Sequence, residues 1–83
     1  MALYFFHLED HVLSVDQHGT ELPDDEAARD QATTMVGAIL REEPRKFWDT
    51  GLWRLLVTDA DRKVLFRLEF RGISSGDTGP TAF

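Results

Sequence analysis

Glu21-Leu22-Pro23-Asp24-Asp25-Glu26-Ala27-Ala28 is the stretch that decides how this chain folds. Pro23 cuts off an extended segment, and Asp24 is an N-cap able to accept a hydrogen bond from the free first-turn N–H groups. Asp25 and Glu26 then fall in the positively polarised first turn of a helix. Downstream, Ala27, Ala28, Ala32, Met35, Val36 and Ile39 recur at helical spacing, so one apolar stripe runs towards Arg41. Glu42-Glu43-Pro44 ends it. The alanines at its start predict close approach to a sheet. Gly37 weakens such a helix by about 1 kcal/mol relative to Ala, which predicts a packing reason for its presence.

Working outward, residues 3–8 read as an aromatic-rich strand, with Tyr4, Phe6 and Leu8 on one face and Leu3, Phe5 and His7 on the other. Glu9-Asp10-His11 breaks it, residues 12–15 form a second short strand, and Asp16-Gln17-His18-Gly19-Thr20 has the chemistry of a turn. Beyond the helix, residues 45–51 read as a loop carrying Phe47 and Trp48. Residues 52–58 and 64–70 are the third and fourth strands, joined by a turn at Asp59-Ala60-Asp61-Arg62. The order is ββαββ. It predicts an α+β two-layer sandwich: a four-stranded, mostly antiparallel sheet in strand order 2-1-3-4 with one helix on one face. A single domain spans 1–70, and the Gly/Ser/Thr/Pro-rich residues 71–83 are expected to be a disordered tail.

The chain has 83 residues, no cysteine and a net charge of −6. A domain this short buries only about 60–65% of its unfolded surface, so added area from a partner would strengthen it. Without cysteine there is no disulfide framework, zinc–thiolate site or thiol nucleophile. The acidity is concentrated: residues 1–30 hold eight acids and one base, whereas 31–83 are close to neutral. That balance opposes general binding of a phosphate backbone and suits a solvated surface or a basic partner. The apolar opening lacks a basic leader, and no run approaches the ~20 apolar residues of a membrane span. A soluble cytoplasmic protein is the expectation.

Chemistry-bearing candidates are few. His7, Glu9 and His11 form the one cluster with metal-ligand residue types, a possible metal or ligand sensor on the first hairpin. They sit at a turn without the rigid spacing of a zinc site, so neither a metal nor a cofactor is assigned. The aspartates of Asp16-x-x-Gly19 and Asp59-x-Asp61 depart from the twelve-residue calcium loop and read as turn formers. No nucleophile elbow and no glycine-rich phosphate loop is present, and the exposed carboxylates lack an environment that would perturb them, so catalysis is not expected. Phe5 with Arg54 and Arg67 is the best arrangement for stacking on nucleic acid, although the acidic first thirty residues oppose it. More telling is the second sheet face, where Leu3, Phe5, Leu52, Leu56 and Leu65 share a surface with His7, Arg54, Arg67 and Glu69. Several apolar residues rimmed by charge mark an interface, and a homodimer or another protein partner is the expected occupant.

Three blocks carry a resemblance: Tyr4-Phe5-Phe6-His7, then Asp16-x-x-Gly19-x-Glu21-Leu22-Pro23-Asp24 with Ala27-Ala28, then Trp53-x-x-x-Val57-Thr58-Asp59 with Val64-Leu65. In this order they resemble a family of small domains of unknown function, seen mostly as short stand-alone proteins in alphaproteobacteria. The resemblance implies the hairpin–helix–hairpin order and supplies no activity, cofactor or catalytic residue. One position departs from it: the family's last turn is similar to Asp-x-Asp-Gly, and here Arg62 stands in the glycine position. A side chain there is costly if the backbone is left-handed, so a wider turn is one alternative.

Overall fold

A computed structural model describes residues 1–74. The chain runs β1 (Ala2–Glu9), β2 (Leu13–Ser14), β3 (Thr20–Leu22), α1 (Asp25–Glu42), α2 (Pro44–Thr50), β4 (Leu52–Thr58) and β5 (Val64–Arg71). The α+β class holds, but the element count expected from the sequence does not. The sheet is antiparallel in order β2-β1-β4-β5, and β3 also pairs with β1. The expected second strand, residues 12–15, is reduced to the two residues of β2, and an additional short strand, β3, lies further along the same edge of β1. β2 pairs Leu8 with Ser14 and Glu9 with Leu13, while β3 pairs Ala2 with Leu22 and Tyr4 with Thr20. Glu21 and Leu22, read as the approach to the helix, are strand residues.

The helix begins as its sequence dictates. The Asp24 carboxylate accepts from the Ala27 N–H at 2.9 Å, and Asp25 and Glu26 occupy the first turn. The Tyr4 hydroxyl donates to Asp25 Oδ1 at 2.8 Å, pinning that turn to β1. Ala28 and Ala32 are fully buried and, with Tyr4, Phe6, Leu55 and Val57, form the core between sheet and helix. Gly37 contradicts its expected packing role: a Cβ there would meet nothing within 4 Å.

The 45–51 segment is a helix, not a loop. Pro44 stops α1 and starts α2, because a residue without an N–H loses nothing in a first turn. Gly51 closes α2 at φ 77°, in the left-handed region that favours glycine. α2 carries an aromatic cluster onto the same sheet face as α1: Phe47 stands edge-on to Trp53 and stacks with Phe70, and Trp48 lies over Gly72. Phe47 and Trp48 thus do not cover the opposite sheet face, which is open among the described residues. Trp53 is buried, and its indole N–H has no hydrogen-bond partner among the described residues.

β5 continues to Arg71, and the Gly72 N–H donates to the Gly51 carbonyl at 2.9 Å. Residues 75–83 of the expected tail lie outside the described residues. In the β4–β5 turn the Asp59 carboxylate accepts from the Asp61 and Lys63 N–H groups, and Arg62 has φ 66°. A tight turn with a left-handed residue is retained despite the missing glycine, at a cost of about 1–2 kcal/mol.

Candidate functional site

The open sheet face is built in rows set by the strand register. Glu9, Arg54 and Glu69 lie side by side on β1, β4 and β5, and the next row is His7, Leu56 and Arg67. Phe5 and Thr58 head a third row, where the ladder shifts between Val57 and Thr58 so that Thr58 pairs with Val64 and Leu65 is skipped. One half of the face is thereby ionic and the other largely apolar.

In the ionic half, Arg54 Nε donates to Glu69 Oε2 at 2.7 Å and Nη1 donates to Glu9 Oε1 at 3.1 Å. Hydrogen bonding to Glu69 and Glu9 raises the Arg54 pKa, and the same Arg54 contact holds the Glu69 carboxyl below its ordinary value. Arg67 Nε stands 3.9 Å from Glu69 Oε2. The two arginines considered for nucleic acid therefore face carboxylates within their own sheet.

In the apolar half, Phe5, His7, Leu56 and Thr58 floor a depression of about 620 Å³. Its walls are the segment holding Leu13, Val15, Asp16 and Gln17 and the turn holding Asp59 and Arg62. Gly19 packs against Phe5 and Leu3, since a Cβ there would lie 3.0 Å from the Phe5 ring and 3.1 Å from Leu3. With φ 75° as well, glycine is required at this position on both counts.

His7 is fixed in this floor by three neighbours. The Asp16 N–H donates to Nδ1 at 3.0 Å, so the proton of the neutral ring sits on Nε2, which donates to Thr58 Oγ1 at 3.0 Å. The Phe5 ring lies parallel to it at 6.4 Å. Asp16 completes the arrangement. Its Oδ2 accepts from the Phe6 N–H at 3.1 Å, and its Oδ1 accepts from the His18 and Gly19 N–H groups at 3.0 and 3.1 Å. Burial pushes this carboxyl up, but the three N–H donors outweigh it and hold the pKa below the ordinary value.

His7, Glu9 and His11 do not converge. His7 faces Thr58, Glu9 faces Arg54, and His11 is exposed beside Asp10 at 3.8 Å. Among the described residues no group of three or more His, Cys, Asp or Glu side chains is placed to hold a metal ion. Of the apolar residues expected on this face, Leu3, Phe5 and Leu56 fall in one half and Leu52 lies beyond the ionic row opposite Arg71, whereas Leu65, displaced by the shift in the ladder, packs against the core instead. Asp16 and Thr58 went unassigned in the sequence reading; only the Asp16-x-x-Gly19 spacing signalled one of them. No helix of the described residues is long and apolar enough to cross a membrane. No curated protein and no solved structure matches the chain. Residues 3–71 match the family described as Domain of unknown function (DUF6894), and the chain belongs to that family.

Proposed function

We propose that this domain acts by protein–protein contact without catalysis, and that it associates with a second copy of itself through the open sheet face. The observation that carries the reading is the apolar half of that face. There Phe5 and Leu56 adjoin Leu13 and Val15, which are 50% and 57% exposed, around a concave floor. Apolar residues gathered at a recess and flanked by charge fit a contact surface better than a solvated one.

Charge favours a second copy as the occupant. The Glu9–Arg54–Glu69 row alternates in sign, so two such rows opposed with an offset of one strand bring acids onto bases. A small core also gains from area added by dimerisation, and two-fold dimers are the commonest assemblies. Sedimentation over a concentration series tests the reading. Phe5→Glu and Leu56→Glu should keep the far-ultraviolet spectrum of the native fold and weaken association at least about tenfold. A chain that stays monomeric at its highest soluble concentration, or folded variants that associate unchanged, would overturn it.

A further inference from the structure

We infer that β5 is a second contact, pairing edge to edge with β5 of another copy in an antiparallel register centred on Leu68. Among the described residues β5 pairs with β4 alone, so its eight residues present an outer row of unpaired backbone N–H and C=O groups. An uncovered edge of this length is a template for another strand. The helices pack chiefly over β3 and β4, and Phe66, Leu68 and Phe70 on β5 remain half-buried.

The strand is self-complementary in one register. With Leu68 opposite its own counterpart, Arg67 meets Glu69, Phe66 meets Phe70 and Leu65 meets Arg71 of the other copy. Residues opposite one another in an antiparallel pair share a sheet face. The Arg67–Glu69 contacts therefore form on the open face, and the phenylalanines pair on the helix-covered face. Sliding two residues one way sets Glu69 against Glu69 and Arg67 against Arg71; sliding the other way sets Arg67 against Arg67. Centring on Phe70 pairs Glu69 with Arg71 but runs past the end of the strand at Arg71. A one-residue slip would join the helix-covered face of one copy to the open face of the next. Charge and pattern thus select the Leu68 register. Arg67 is available for it, its side chain being 62% exposed.

The inference goes beyond the open-face contact and can fail without it. The absence of cysteine makes a direct test possible. Leu68→Cys would place the two thiols on the two-fold axis, with Cα atoms about 4.5–5.5 Å apart, within disulfide reach. Mild oxidation should convert this variant to a linked dimer on a denaturing gel. Val64→Cys, whose counterparts would lie about 26 Å apart, should remain unlinked. A folded Leu68→Cys that does not cross-link, or a Phe70→Cys that links in its place, would overturn the register. Should Leu68→Cys fail to fold, Arg67→Glu replaces it. That change should weaken association at this edge about tenfold, while Arg71→Glu, which faces Leu65, should not. Equal effects would overturn the pairing. Loss of the edge contact with association through Phe5 and Leu56 intact refutes the β5 inference alone; a strictly monomeric chain refutes both.

Discussion

Asp16 does with one carboxylate what a continuous second strand would otherwise do. Between β2 and β3 the edge of β1 has no strand beside it, and Asp16 accepts the Phe6 N–H that would have been left there. Asp16→Ala should therefore lower stability by about 2–3 kcal/mol in denaturant unfolding, because several N–H donors lose their acceptor together. The pH dependence has a definite sign. A carboxyl held below its ordinary value of 3.8 contributes stability that is complete above that value and is lost as pH falls through the lower, folded one. Below about pH 4, Asp16→Asn should lose stability less steeply than the native chain; equal slopes would dissociate the group from acid unfolding. Asp16 and Gly19 were legible as a turn from their spacing. The links to Phe6 and His7 were not, since they join residues ten and nine positions apart through a strand interruption that no local pattern marks.

At the scale of elements, legibility followed length and cap chemistry. α1 could be read because eighteen residues display several turns of an apolar stripe behind an N-cap. α2 could not: its seven residues PRKFWDT hold too few turns to show a pattern, and it is held by Phe47, edge-on to Trp53 and stacked with Phe70. Pro44 signals both the end of one helix and the start of another, and from sequence only the ending was evident. The additional strand β3 was equally hidden, because Glu21-Leu22-Pro23 suits a helix approach as well as a strand. Gly37 supplies the test at this scale. Its position is exposed and a Cβ meets open space, so Gly37→Ala should stabilise α1 by about 0.5–1 kcal/mol and raise Tm by several degrees. Destabilisation by this change in the isolated protein would mean that the helix needs the glycine for a close approach that the fold does not contain.

For the whole molecule, the two proposed contacts have different geometry, and that difference is measurable. Pairing β5 with its counterpart extends the sheet sideways about an axis perpendicular to it, leaving both open faces on the same side. Stacking open faces uses an axis lying between the two sheets. Two perpendicular two-folds that intersect close into a four-chain assembly, a common symmetry among soluble oligomers. Chains of 9.5 kDa should then sediment as tetramers at high concentration. Phe5→Glu should leave an edge-paired dimer that Leu68→Cys still cross-links, and Arg67→Glu should leave a face-stacked dimer in which Leu68→Cys cross-links poorly. Combining Phe5→Glu with Arg67→Glu should give monomer. The effects should be additive in free energy, because Phe5 on β1 and Arg67 on β5 are separated by β4 and no hydrogen bond joins them. Strong non-additivity in the association constants would mean that one surface serves both purposes, and the independent edge contact would have to be abandoned.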